Sequence, residues 1–177
     1  MKSIKFLSLV FIGLALPMFL ISCKNEPSAE CVALETADKQ LKADIKLYES
    51  TWDEVINKGK LDLINETNFD KNITLVSKPG NIVGIEAFKN YYKNYIVGFS
   101  NVKFSIINVF GHGDNIVKHW NFKGKHTGVF FGIPPTNKEV DVNGVTLVKM
   151  KDGKILQEED FTDNLEFMQQ LELIPKP

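Results

Sequence analysis

Four long segments in the second half of the chain alternate apolar and polar residues, and this pattern constrains the fold most. They span residues 102–110, 116–126, 139–151 and 154–161. A period of two is typical of β-strands with one buried face, and the Asp152-Gly153 pair predicts a tight hairpin between the last two. We therefore expect an antiparallel meander of four strands. The phase slips at Ile106-Ile107, which predicts a β-bulge, and Asn143-Gly144 inside the third segment predicts another.

The first half of the chain has mostly helical spacing. Apolar residues recur every three or four positions from about residue 31 to residue 58, which predicts a long helix that Gly59 ends. Its apolar positions are Val32, Leu34, Ala37, Leu41, Ile45, Tyr48, Trp52, Val55 and Ile56. Shorter helices are predicted at 61–68 and 85–97, a strand at 72–77, and a last helix capped by Asp163. This order indicates an α+β fold, with helices covering one face of a strongly curved sheet.

The first 22 residues have the pattern of an export signal. Lys2 and Lys5 precede an apolar stretch, residues 6–21, that is too short for a convincing permanent membrane span. The following Leu20-Ile21-Ser22-Cys23 resembles the bacterial lipobox, in which the cysteine is lipidated and becomes the mature N-terminus. We expect a lipoprotein anchored in the cell envelope through Cys23, in the inner or the outer membrane. An ordinary signal peptide with an incidental cysteine is the alternative. The expected organisation is a signal peptide (1–22), a lipidated cysteine and tether (23–30) and a single domain (31–177).

The charge composition limits the partners. All 21 basic residues are lysine, and removal of residues 1–22 leaves 19 of them against 22 acidic residues. This balance disfavours nucleic-acid binding, which needs a concentrated basic face. Without arginine the chain has no planar, bidentate clamp for phosphate or carboxylate. We therefore expect a neutral or weakly polar ligand, although biased codon usage also explains the missing arginine.

The segment between the second and third strands, residues 124–138, is unusually apolar for a loop. It contains His126, the adjacent Phe130 and Phe131, Ile133, and a stiff Pro134-Pro135 turn. Such side chains either line a pocket or pack against a second subunit. The three histidines of the chain are dispersed and form no metal-ligand pattern. We expect this loop to be the mouth of an apolar pocket.

Several motifs carry a resemblance to a known family. Gly124-x-His126-Thr127-Gly128, followed by Phe131-Gly132-Ile133-Pro134-Pro135-Thr136-x-Lys138, resembles the signature of the SnoaL-like polyketide cyclases, also called ester cyclases. Gly84-x-Glu86-x-Phe88 and the run from Asp152 to Leu171 are similar to other parts of that family. The resemblance covers roughly residues 45–174. It implies a nuclear-transport-factor-two-like fold: a cone-shaped barrel of a curved, mostly antiparallel sheet wrapped around N-terminal helices, with the ligand in its open end.

The resemblance also implies a chemistry. Members of this family carry out an aldol cyclisation without metal or cofactor, and an aspartate on the C-terminal strand acts as general acid/base on a polycyclic ester. The matching position is Asp160, and His126 matches a pocket position. The remaining expected pocket residues are Trp120, Phe122, Phe130, Phe131, Ile133 and Glu158.

Physical chemistry supports this role for Asp160 but leaves alternatives. An aspartate that faces an apolar cone loses hydration and becomes a better proton acceptor near neutral pH. His126 or a pocket tyrosine could donate a hydrogen bond to the enolate oxygen. Alternatively, Asp160 caps the last helix or belongs to a solvated acidic strand end with Glu158, and His126 only fixes the following loop.

Three functions are compatible with the sequence. The first is a cofactor-free cyclase, isomerase or lyase that acts on a small apolar or polycyclic molecule. The second is a non-catalytic lipoprotein that binds a small apolar ligand in the same cone. The third is a protein-interaction module that pairs through the exposed sheet face, which would also support a homodimer. Fold alone does not choose between them.

Overall fold

A computed structural model describes residues 27–175, so the predicted signal segment and Cys23 lie outside the described residues. Three helices and six strands make up the fold. The helices are α1 (Ala29–Trp52), α2 (Ile85–Gly98) and α3 (Asn164–Gln170), and the strands are β1 (Phe69–Val76), β2 (Ile82–Val83), β3 (Phe99–His112), β4 (Asn115–His126), β5 (Glu139–Lys151) and β6 (Lys154–Thr162).

The strands form one sheet in the order β2-β1-β6-β5-β4-β3. Strands β3 to β6 are the predicted antiparallel meander. β1 extends the sheet by pairing parallel to β6, and β2 pairs antiparallel to β1. The core lies between one face of this sheet and helices α1 and α2, and it includes Tyr48, Trp52, Phe69, Phe88 and Ile155. The predicted α+β class, with a curved and mostly antiparallel sheet, is confirmed.

Helix α1 only partly follows the prediction. Ser28 caps it by accepting a hydrogen bond from the Cys31 backbone N–H. Its first turns extend away from the core, so Val32 and Leu34 are 48% and 66% exposed despite their helical spacing. The helix continues into a π-helical turn, Asp53–Asn57, which buries Val55. Burial is therefore confined to the second half of the helix.

The predicted helix at residues 61–68 is wrong. Only one 3₁₀ turn forms there, Leu61–Leu63. The side chain of Asn65 donates to the Asp62 carbonyl and accepts from the Thr67 N–H, and Asn68 donates to the Leu63 carbonyl. Asparagine side chains that bond to nearby backbone compete with the helical ladder, and here they replace it.

One predicted bulge is confirmed and the other is wrong. The pairing of β3 with β4 shifts between Ile106 and Asn108, at the predicted phase slip. Asn143-Gly144, in contrast, pairs in regular register with Asn121 and Trp120. Residue 144 is a glycine for another reason: a Cβ there would lie 2.2 Å from Cζ2 of Trp120.

A bulge that the alternation did not predict lies in β6. Lys149 pairs with Gln157, but the next residue, Met150, pairs with Ile155, so an extra residue is accommodated between them. The extra residue inverts the alternation. Ile155 faces the core, and beyond the bulge Glu158 does so too, while Phe161 is 52% exposed. This inversion directs Glu158 and Asp160 toward the interior.

Candidate functional site

A cavity of about 370 Å³ opens between the sheet and helices α2 and α3. This volume is within the range of small-molecule sites, roughly 300–1,000 Å³. Its walls are mainly aromatic. β4 contributes Trp120 and Phe122, the loop after β4 contributes Phe130, Phe131 and Ile133, and α2 contributes Tyr91, Tyr92 and Tyr95. The structure thus places five of the six predicted pocket residues around one cavity.

Asp160 is the acidic residue among the described residues that line this cavity. Thr146 Oγ1 donates to its Oδ1 at 2.5 Å, and Tyr92 Oη lies 3.0 Å from its Oδ2. Trp120 Nε1 donates in turn to Thr146 Oγ1 at 2.9 Å. The indole N–H has no acceptor capacity, so the chain Trp120 to Thr146 to Asp160 has a fixed direction. It holds the carboxylate of Asp160 in one orientation.

Glu158 lies behind the cavity wall instead of in it. It is fully buried, and two residues that do line the cavity, Trp52 and Tyr92, cover it. Tyr48 Oη and Trp52 Nε1 donate to its Oε1 at 2.7 and 2.8 Å, and Tyr92 Oη lies 2.9 Å from its Oε2. Burial raises the pKa of Glu158. Lys118 opposes this rise, and the charge of Asp160 adds to it.

Tyr92 connects the two carboxyl groups. Burial raises the pKa of Tyr92 well above its ordinary value, and the nearby carboxylates raise it further, so the phenol keeps its proton. That single proton can be donated to only one carboxylate at a time. When Glu158 is protonated, its Oε2–H can donate to Tyr92 Oη while Tyr92 donates to Asp160 Oδ2. The arrangement can therefore transmit a proton between Glu158 and Asp160.

His126 is not among the residues that line the cavity, and no hydrogen bond joins it to Asp160. It is fully buried at the end of β4. Its Nδ1 accepts a hydrogen bond from the Thr136 backbone N–H at 3.3 Å, and its own backbone N–H donates to the Lys138 carbonyl. Its Nε2 has no hydrogen-bond partner among the described residues. Burial lowers the pKa of His126, against a smaller opposing effect of the Gly128 backbone. These contacts join His126 to the loop after β4, in agreement with the structural alternative that the sequence left open.

Among the site residues that the sequence did not single out are Lys118, Thr146 and Tyr92. Lys118 lines the cavity and is only 4% exposed. Strict alternation along β4 places it on the same face as Ile116, Trp120 and Phe122, and that signal was sufficient to find it. Thr146 had the same signal in β5. Tyr92 had no sequence signal beyond its helical spacing, because its partner Glu158 is 66 residues away in the chain.

Two further findings concern other kinds of site. Within residues 27–175, no group of three or more His, Cys, Asp or Glu side chains is arranged to hold a metal ion. No helix in that range is long and apolar enough to span a membrane.

A comparison with family models identifies one family. The family model described as SnoaL-like polyketide cyclase matches residues 46–171. No curated protein matches the chain. Among solved structures, a protein of Bacillus cereus described as a polyketide cyclase is 26% identical, with a TM-score of 0.57 over 76% of this chain and 82% of that one.

Two other structures share the fold at lower identity. A protein of Jannaschia sp. CCS1, described as a SnoaL-like polyketide cyclase, is 24% identical with a TM-score of 0.64, over 76% of this chain and 94% of that one. A protein of Streptomyces galilaeus described as a hydroxylase is 16% identical with a TM-score of 0.66, over 76% and 99% of the two chains. These likenesses concern the fold and leave the reaction open.

Proposed function

The chain belongs to the SnoaL-like polyketide cyclase family, and we propose that it moves a proton next to a carbonyl group of a small apolar or polycyclic ligand. Asp160 is the general acid/base, and no cofactor takes part. The observation that carries this proposal is the position of the Asp160 carboxylate in the wall of a mainly aromatic cavity. The reaction class is a cyclisation, isomerisation or elimination, since all three begin with such a proton transfer.

The cavity also supplies donors for the developing enolate oxygen. Burial raises the pKa of Tyr95 well above its ordinary value, and Tyr91 adds to that effect. The phenol therefore stays protonated at neutral pH and can donate a hydrogen bond. Donors already aimed at a developing negative charge lower the barrier most. Tyr95 and Tyr91 take the role that the sequence left open between a pocket tyrosine and His126, and His126 serves as a positioning residue for the loop.

The test starts from the ligand. Wild-type protein and Asp160→Asn are purified from the host, and bound small molecules are identified by native mass spectrometry. Each variant is then incubated with the identified compound. We expect the Asp160→Asn variant to bind the compound. Its turnover should be about 10²–10⁴-fold lower than that of wild type. Asp163→Asn is the matched control, because Asp163 caps α3 and asparagine caps equally well. Unchanged turnover in Asp160→Asn contradicts the assignment.

A non-catalytic binder is the second candidate. It is favoured by the two hydrogen bonds that already occupy both oxygens of Asp160. For a binder, the compound would be recovered with unchanged mass and structure from both wild type and Asp160→Asn. Its affinity would fall when the cavity is narrowed, for example in Val142→Phe.

We further propose that Cys23 carries the lipid that anchors the chain in the cell envelope. The lipobox-like Leu20-Ile21-Ser22-Cys23 supports this, and an acyl chain contributes about 0.8 kcal/mol per buried methylene. Cys23→Ser should move the protein from the membrane fraction to the soluble fraction. Cys31→Ser, which changes the other cysteine, should leave it in place. Membrane retention of Cys23→Ser contradicts the proposal.

For the assembly we propose a homodimer through the outer sheet face. Leu147 and Phe161 are 43% and 52% exposed there, and Phe161 pairs with Val145 across the sheet. A second copy would cover these side chains. Phe161→Lys should convert a dimer to a monomer in light scattering. A monomeric wild type contradicts the proposal, and a different protein captured on this face favours the interaction-module function.

A further inference from the structure

Lys118 is a buried amine that the proposed proton transfer does not use. It lies in β4 between Ile116 and Trp120, on the face of the sheet that forms the cavity. Only 4% of its surface is exposed, yet it belongs to the cavity lining. Lysine is rarely buried to this extent without an ion-pair partner.

The surroundings of its amine are aromatic. Nζ lies 4.9 Å from the ring centroids of both Tyr48 and Trp52, and 5.3 Å from that of Phe104. Within residues 27–175 it makes neither a hydrogen bond nor an ion pair. Burial lowers the pKa of Lys118, while the charges of Glu158 and Asp160 oppose that effect. The site therefore favours the neutral, nucleophilic form of the amine more than water does.

The sheet register places Asp160 in the same row of residues as Lys118. Lys118 pairs with Thr146 in β5, and Thr146 pairs with Asp160 in β6. The three residues form one row across adjacent strands, which are spaced about 4.8 Å apart. The backbones of Lys118 and Asp160 are thus about 10 Å apart, and both side chains line the same cavity. A molecule in the cavity can contact both.

We propose that Lys118 is an attachment site for an aldehyde or ketone ligand, which it holds as an imine of Nζ inside the aromatic cavity. The proposal goes beyond the proposed proton transfer next to a carbonyl group and does not depend on that reaction, and it gives Asp160 a second task as a proton carrier. The amine and the aromatic walls together define the chemical class of the ligand. The amine needs a carbonyl carbon to attack, and the aromatic walls favour an apolar, ring-containing body.

The step is balanced without any other reactant. The lone pair of neutral Nζ forms a bond to the carbonyl carbon, and the π pair of the carbonyl moves to oxygen. Both amine protons pass to that oxygen, with the Asp160 carboxylate as carrier, and the oxygen leaves as water. The electron pair left on nitrogen forms the second C–N bond. Asp160 ends unchanged, and nothing is oxidised or reduced.

The experiment uses the full-length chain with 2-naphthaldehyde as the probe and cyanoborohydride to reduce any imine to a stable secondary amine. Peptide mapping then gives the occupancy of each lysine. Lys123 is the internal reference, since it lies in the same strand but pairs with Asp141 at the surface. We expect higher occupancy at Lys118 than at Lys123, because burial lowers the pKa of Lys118 and a lower amine pKa raises the neutral, reactive fraction.

Two variants complete the test. Lys118→Met should remove the preferred adduct, and Lys123→Met should remove only its own minor one. Equal or lower occupancy at Lys118 than at Lys123 in the wild type overturns the proposal, and this comparison holds even if Lys118→Met fails to fold. Asp160→Asn should slow adduct formation at Lys118, and an unchanged rate overturns the assignment of Asp160 as the proton carrier. Loss of turnover in Asp160→Asn with a retained Lys118 adduct separates this site from the proposed function.

Discussion

The indole of Trp120 occupies the space where residue 144 would carry a side chain. The two residues face each other across β4 and β5, and a Cβ on Gly144 would lie 2.2 Å from Trp120 Cζ2. This close approach lets the indole lie flat against the strand and donate to Thr146 Oγ1 at 2.9 Å. Thr146 then holds Asp160. The orientation of the carboxylate thus depends on a glycine two residues away from Thr146.

The first prediction concerns this glycine. Gly144→Ala should lower the free energy of unfolding by about 1–3 kcal/mol, the usual range for overpacking, and should displace Trp120. The measurement is urea unfolding, with near-UV circular dichroism to report the indole environment. Gly80→Ala is the control, since an added Cβ at residue 80 meets no atom within 4 Å. Equal stabilities for the two variants would contradict the packing described for Trp120.

The second prediction concerns the hydroxyl shared by Glu158 and Asp160. Tyr92→Phe removes the donor 2.9 Å from Glu158 Oε2 and 3.0 Å from Asp160 Oδ2. Hydrogen bonds to charged groups contribute about 1.5–3 kcal/mol, so urea unfolding should show a loss in that range. Tyr91→Phe, in the same helix, removes a hydroxyl that bonds to neither carboxylate, and it should cost about 1 kcal/mol or less. A loss in Tyr92→Phe no larger than this would argue against the shared contact.

The third prediction is a pH dependence. The pKa of Glu158 is raised by burial above its ordinary value of 4.5, so between these two pKa values the folded state binds more protons than the unfolded state. The stability contribution of Glu158 is therefore fully present below pH 4.5 and is lost as the pH rises through the folded-state pKa. Glu158→Gln does not titrate. Its stability relative to wild type should therefore improve as the pH rises from about 4.5 through the folded-state pKa of Glu158.

The measurement for Glu158 is urea unfolding of both proteins at several pH values. Glu159→Gln, on the other face of β6, controls for the loss of one negative charge. The difference between Glu158→Gln and wild type should change with pH more than the difference for Glu159→Gln does. If the difference in unfolding free energy between Glu158→Gln and wild type stays constant, or becomes less favourable to the variant at higher pH, the pKa of Glu158 is not raised.

The fourth prediction concerns His126. His126→Phe leaves the half-buried Thr136 N–H without its acceptor at 3.3 Å. A fully buried donor that loses its partner costs about 1–3 kcal/mol, so we expect a loss of stability near the lower end of that range. His126→Asn retains an acceptor and should recover part of that stability. Ligand turnover per folded molecule should be nearly equal in both variants and wild type. A loss of turnover in His126→Asn comparable to that of Asp160→Asn would instead make His126 part of the chemistry.

Local sequence patterns correctly predicted the secondary-structure elements that form from a local periodicity. Alternation located β3 to β6, because a strand with one buried face must alternate. Helical spacing located α2, and Asp163 located the start of α3. The same reasoning failed where a side chain bonded to its own backbone, as Asn65 and Asn68 do. It also failed at Val32 and Leu34, since spacing indicates which face of a helix is apolar and not whether anything covers it.

The site depended more on tertiary structure. The sequence determined a curved-sheet fold, an apolar loop after β4 and, by resemblance, Asp160 as the group to examine. The tertiary structure decided the rest. An extra residue in β6 directs Glu158 and Asp160 inward and leaves Phe161 outside, although regular alternation from Ile155 would do the reverse. Tyr48, Trp52 and Tyr92 reach Glu158 from helices 66 to 110 residues away. Such contacts arise only when the chain folds, because they join residues that share no local period.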